Sequence, residues 1–197
     1  MNQSSNRSVI GLLTAWFCFA LAVGSSGLFL RASAPAIAAT VWGLTAVVLV
    51  ACWKVQIVRN FAATLDLRNL IALHLVRFVG VYFLILGAQG RLPDGFARPA
   101  GIGDMIVAIG AVVFIAAPTL RASRGTLRIW NFFGFIDIIF VVFSALRFGL
   151  QDWESMTALR TLPLSLLPTF FVPLIIASHV LIFVRLIRTA RIAPSSS

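Results

Sequence analysis

The sequence predicts an all-α, polytopic bundle of six transmembrane helices, from its composition, its long apolar runs and the placement of its basic residues. Of 197 residues, 60% are hydrophobic and only 11% are charged, and the mean hydropathy is +0.99. Soluble domains carry about 25% charged residues, so there is too little polar surface here to coat a fold in water. Lipid is the solvent such a surface requires. The length suits a single membrane domain over residues 1–197.

The apolar runs fall at 9–30, 37–53, 69–88, 101–117, 128–148 and 162–187. An α-helix needs about 20 residues to cross about 30 Å of hydrocarbon. The runs are continuous and do not alternate, and an open sheet edge cannot be satisfied in lipid, so strands are not expected. The first run follows Arg7 and is followed by Ala32-Ser33-Ala34, the outline of a secretory signal. It exceeds the roughly 7–15 apolar residues of such a signal, and Pro35 stands just beyond the cleavage point, so a retained helix is expected. The fourth run is the shortest and ends at Pro118. Before it, residues 87–104 read as a turn-rich loop around Pro93-Asp94-Gly95, which places Asp104 in the first turn of helix four. Gly101-Ile102-Gly103-Asp104 has neither the strand before it nor the Gly-Lys-Ser/Thr after it that a phosphate loop needs. In the sixth run, Pro168 and Pro173 predict a kinked or loosened outer half. Cys18 and Cys52 lie inside apolar runs, as small buried hydrophobes would.

The formal net charge is +10, yet no basic stripe lies on a soluble element, so nucleic acid is not the expected partner. The bilayer itself is, through anionic headgroups. Arg7; Lys54, Arg59 and Arg68; Arg121, Arg124 and Arg128; and Arg185, Arg188 and Arg191 fall on one side of the alternating runs. The other side holds Arg31, Arg91, Arg98, Arg147 and Arg160, together with Asp94, Asp152 and Glu154. The positive-inside rule then predicts both termini in the cytoplasm.

Four ionisable residues sit too deep to be boundary residues: His74 and Arg77 in the third run, Asp137 in the fifth and His179 in the sixth. Counting 1.5 Å per residue from the nearest flanking arginine puts both histidines about 9 Å in, and Arg77 and Asp137 about 14 Å in. Charges in hydrocarbon are costly and face the bundle interior. Arg77, Gly80, Leu84 and Gly87 share one helical stripe, and Gly134, Asp137, Val141 and Ser144 another. Small residues on such stripes let helices approach closely, so an Arg77–Asp137 ion pair is expected, with His74 one turn away.

Three readings of this cluster stay open. It can be an interhelical tie that fixes register. It can be a ligand-binding or proton-relay site of a small-solute or proton-coupled carrier, since histidine titrates near neutrality and arginine attracts anions. Or His74 and His179, at matching depth, can be axial ligands of a non-covalent b-type haem. No catalytic signature is present: neither a zincin His-Glu-x-x-His motif nor a plausible triad around Ser144.

Arg77-Phe-Val-Gly-Val-Tyr82, Gln89-Gly-Arg-Leu-Pro93, Phe96-Ala97 and Gly101-Ile-Gly-Asp104 form one set of motifs. Trp130-Asn-Phe-Phe-Gly-Phe-Ile-Asp137, and Pro168-Thr-Phe-Phe-Val-Pro-Leu174 with His179, form another. Together they resemble a group of small, uncharacterised bacterial multi-pass inner-membrane proteins. The resemblance covers helices three to six; it implies localisation and topology, and the group has no assigned activity.

Overall fold

A computed structural model describes residues 3–192; of the basic residues counted above, Arg191 has its side chain outside that description. The elements are α1 (Gln3–Ser25), α2 (Leu28–Arg31), α3 (Ala34–Lys54), α4 (Gln56–Thr64), α5 (Leu67–Ala72), α6 (Val79–Ala88), α7 (Asp94–Ala116), α8 (Pro118–Ala122), α9 (Arg124–Gln151) and α10 (Val172–Ile192). A 3₁₀ segment, Leu73–Phe78, joins α5 to α6; another, Glu154–Arg160, follows α9; a π-turn, Leu167–Phe171, leads into α10. No strand occurs among the described residues. Among the described residues, six stretches are long and apolar enough to cross a membrane: Asn6–Ser25, Ala34–Lys54, Leu67–Ala88, Asp94–Ala116, Arg124–Gln151 and Leu167–Arg188.

The boundaries follow local chemistry, and three of them correct the sequence reading. The first helix stops at Ser25, because Gly27 turns the chain with φ 72°, where residues other than glycine are strained. The fourth begins at Asp94, not near 101: Pro93 precedes an acidic first turn, so most of the presumed loop is helix. Asp104 is therefore in the third turn, well inside. The sixth begins at Leu167, and its expected loosening takes the form of the π-turn, where Pro168 and Pro173 have no N–H for the helical ladder. Elsewhere the helices extend a few residues beyond the apolar runs. At α5, for example, the Asp66 side chain accepts from the Arg68 amide at 2.8 Å and caps the start.

The spans contribute unequally to the core. The share of each span buried inside the fold is 11% for α1 and for α3, then 39, 39, 33 and 50% for the other four. Spans three to six thus form the bundle proper, with the sixth the most buried and α3 against α9 and α10. Three apolar clusters fill the bundle, one of them, around Val41, Ile138, Val142 and Ile175, joining α3 to α9 and α10, and the other two at its opposite ends. Of these two, one gathers Leu70, Ile71, Phe114, Leu127 and Ile182; the other gathers Phe83, Leu86, Phe96, Met156 and Leu164. Along each of the four spans, the polar residues described next lie between these two end clusters. The link from α3 to α5 is not a bare loop. It contains α4, whose last turn is capped by Arg185 of α10 through the Ala62 and Leu65 carbonyls.

Candidate functional site

The third span carries its two deep polar residues on the 3₁₀ segment. With three residues per turn, positions i and i+3 eclipse, so His74 and Arg77 stand on one edge. Both are buried, at 0% and 1% exposure. Arg77 reaches three places on two other helices. Its Nε donates to Asp104 Oδ1 at 2.7 Å on α7, its Nη1 to the Gly134 carbonyl at 2.8 Å on α9, and its Nη2 to Asp137 Oδ2 on α9. The Arg77–Asp137 pair expected from depth is present, and Asp104 is a second carboxyl partner.

Glycines make this convergence sterically possible. A Cβ on Gly80 would strike the Gly101 carbonyl oxygen, and one on Gly101 would lie 2.7 Å from the Gly80 carbonyl. A Cβ on Gly103 would occupy the space taken by the Asp137 carboxylate, and one on Gly134 would lie 2.7 Å from His179 Cε1. The backbones of α6, α7 and α9 are close here because these positions lack side chains. The Arg77–Gly80–Leu84–Gly87 stripe accordingly faces α7, where Leu84 and Gly87 meet Gly101 and Ala97.

The two imidazoles touch. The His74 and His179 ring centroids are 4.2 Å apart, and Trp130 stands edge-on to His74 at 5.2 Å. Asn131, fully buried, donates from Nδ2 to the His179 carbonyl at 3.1 Å, which turns its Oδ1 to His179 Nδ1 at 2.8 Å. Ser178 donates to the Ile175 carbonyl at 2.8 Å, so its oxygen is left to accept from His74 Nε2 at 3.1 Å. This network assigns the tautomers of the neutral rings: His74 carries its proton on Nε2 and His179 on Nδ1. The remaining nitrogens, His74 Nδ1 and His179 Nε2, are buried and make no hydrogen bond among the described residues. His74 Nδ1 is left as a bare lone pair, whereas the His179 ring also meets the Gly134 backbone, whose carbonyl accepts from Arg77.

The charge count is then simple. With both carboxyl groups ionised, one guanidinium faces two negative charges, and the cluster carries −1. A single further proton on one of the carboxyls brings it to neutrality, which a low-dielectric interior strongly favours. Beside Arg77 and Asp104 lies a cavity of about 20 Å³, room for one water molecule.

A b-type haem, the alternative reading of the two histidines, does not fit this geometry. Two axial imidazoles on one iron, with metal–nitrogen bonds of about 2 Å, would hold their ring centres roughly 6 Å apart with a porphyrin between them. Rings in contact at 4.2 Å leave no such gap. Among the described residues, no group of three or more His, Cys, Asp or Glu side chains is arranged to hold a metal ion.

The four predicted residues therefore come together, and four further participants join them: Asp104, Trp130, Asn131 and Ser178. Asp104 was legible in principle, since Pro93-Asp94 is a helix start that carries residue 104 deep into the span. Asn131 and Ser178 act through contacts that no sequence spacing encodes.

The family described as Domain of unknown function (DUF8737) matches residues 34–187, well over half of the chain. The chain belongs to this family. All eight residues of the cluster lie inside the matched region, whereas α1 precedes it. No curated protein and no solved structure matches the chain.

Proposed function

We propose that this chain is a multi-pass protein of the bacterial inner membrane, with both termini cytoplasmic, whose buried cluster takes up and releases a proton as part of small-solute transport. The location rests on six apolar spans and on the excess of Lys and Arg in alternate connections, which also favours contact with anionic headgroups. The observation that carries the proton reading is the combination of one guanidinium with two carboxyls, beside two touching imidazoles. With both carboxyls ionised, such a set has one proton fewer than neutrality requires, and either carboxyl can hold it. Asp137 is the partly open member, with 19% of its side chain exposed, and is the natural exchange point. Intramembrane ionisable residues generally serve ion or proton pathways.

The test is proton flux in proteoliposomes that enclose a pH-reporting dye, driven by a potassium diffusion potential and repeated across a solute panel. The wild type acidifies or alkalinises the lumen faster than empty vesicles, and Asp137→Asn and His74→Phe each reduce this at least tenfold. Flux no faster than in empty vesicles under every solute would refute the proposal.

A second reading, an interhelical tie without transport, is favoured by the small size of the cavity at Arg77. It predicts that the same variants change stability and nothing else.

A further inference from the structure

A second buried charge lies at the other end of the bundle. Arg160, in the 3₁₀ segment after α9, is only 3% exposed. Its Nη1 donates to the Leu30 carbonyl at 3.1 Å. Its Nη2 serves the Trp153 carbonyl at 2.9 Å, Glu154 Oε2 at 3.2 Å and Thr157 Oγ1 at 2.6 Å. The guanidinium carbon stands 4.5 Å from the centre of the Trp153 ring. Nε makes no hydrogen bond among the described residues. The single carboxylate in contact, Glu154, is 85% exposed and touches one nitrogen, so the buried positive charge is poorly compensated. Uncompensated buried charge is costly.

Arg160 lines a cavity of about 90 Å³ whose other walls are almost wholly apolar, among them Ala38, Val41, Val142 and Met156. From Ala34 to Val41, two of its lining residues on α3, the rise is about 10 Å. The cavity is only partly enclosed. A dry cavity of about 150 Å³ accommodates benzene, so this smaller space suits a stretch of linear chain better than a ring system. Phe83, Val141, Leu167 and Val172 line both this cavity and the one-water cavity beside Arg77, which makes its deep end a neighbour of the buried cluster.

We infer that this cavity holds part of the chain of a single-chain amphiphile with an acidic head, carboxylate or phosphate monoester, and that the head pairs with the Arg160 guanidinium. The chain gains from apolar burial, and the head supplies the counter-charge that Glu154 provides poorly. Binding here does not depend on proton movement at Arg77.

The experiment uses the full chain in phosphatidylcholine nanodiscs with a diazirine-bearing palmitic acid, and maps the crosslinks by mass spectrometry. Labelling concentrates on residues 34–41 and 141–146, and excess palmitic acid or hexadecyl phosphate suppresses it. Whichever of the two competes better identifies the head group, while methyl palmitate does not compete. Arg160→Gln lowers labelling at least tenfold. Ala38→Phe, which fills the cavity and leaves Arg160 in place, does the same and decides the matter if Arg160→Gln fails to fold. Labelling spread evenly over exposed positions such as Ile106 and Phe133, labelling unchanged by Ala38→Phe, or equal competition by the methyl ester each overturns the inference. Because no flux is read, its failure leaves the proton proposal untouched, and the reverse also holds.

Discussion

The charge count at Arg77 predicts a pattern of stability that a simple ion pair would not show. Asp104→Asn and Asp137→Asn each remove one of two carboxylates from a single guanidinium. Each variant keeps an oxygen that can accept from Arg77, and each leaves the cluster at charge balance. The cost is the difference between a hydrogen bond to a charged and to a neutral acceptor, about 1–1.5 kcal/mol, partly offset by lost repulsion between the carboxylates. Each single variant should therefore lose no more than about 1 kcal/mol. The double variant leaves Arg77 buried with no counter-charge, a change that typically costs 3–5 kcal/mol. For a chain of this size, about 2–4 °C of melting temperature accompanies each kcal/mol. The single variants then shift melting by a few degrees at most, and the double by roughly 6–20 °C. Thermal unfolding in a mild detergent, followed by tryptophan fluorescence, reads this directly. Additive, small shifts in all three variants would refute the reasoning, because residues sharing one partner should couple by about 0.5–3 kcal/mol.

Other consequences follow from the same geometry. Gly103→Ala drives a Cβ into the Asp137 carboxylate and should cost about 1–3 kcal/mol, whereas Gly43→Ala, with no atom within 4 Å of its Cβ position, should be neutral or slightly stabilising by the same melting assay. Asn131→Leu orphans His179 Nδ1, costing about 1–3 kcal/mol, while the His179 carbonyl keeps its helical partner within α10; adding His179→Leu should recover part of that loss, since the unpaired ring N–H goes with it. Arg185→Met uncaps the last turn of α4, and hydrogen exchange of residues 56–65 should quicken about fivefold, equivalent to about 1 kcal/mol of local stability.

The sequence carried the fold further than the site. Helix number and type were readable because about 20 apolar residues in a row admit one solution in lipid. The ends were less readable where an individual residue decides them: the left-handed turn at Gly27, the helix start after Pro93, and the prolines that replace α-helix by a π-turn before α10. Depth counting brought Arg77 to Asp137 and His74 to His179, because the short 3₁₀ stretch in the third span lengthens the helical rise by only about 2 Å. It failed for Asp104 only because the start of α7 was set seven residues late, which moved that residue from the core to the boundary. The haem alternative failed for another reason. Matching depth fixes height along the bundle but not separation across it, and the small residues at Gly103 and Gly134 let the helices close until the imidazoles touch. Asn131 and Ser178, which orient the two rings, depend on that lateral packing and leave no periodic trace.

The central claim is that one guanidinium joins three helices through two carboxyl groups in the interior of the bundle. Solid-state NMR of bilayer-embedded protein, with ¹⁵N-arginine and ¹³C-aspartate labels and Arg77 assigned by mutation, measures it most directly. Strong dipolar couplings from the Arg77 side-chain nitrogens to the carboxyl carbons of both Asp104 and Asp137, at separations of about 4 Å or less, are expected. Coupling to neither carboxyl, or to only one while the other faces lipid, would contradict it.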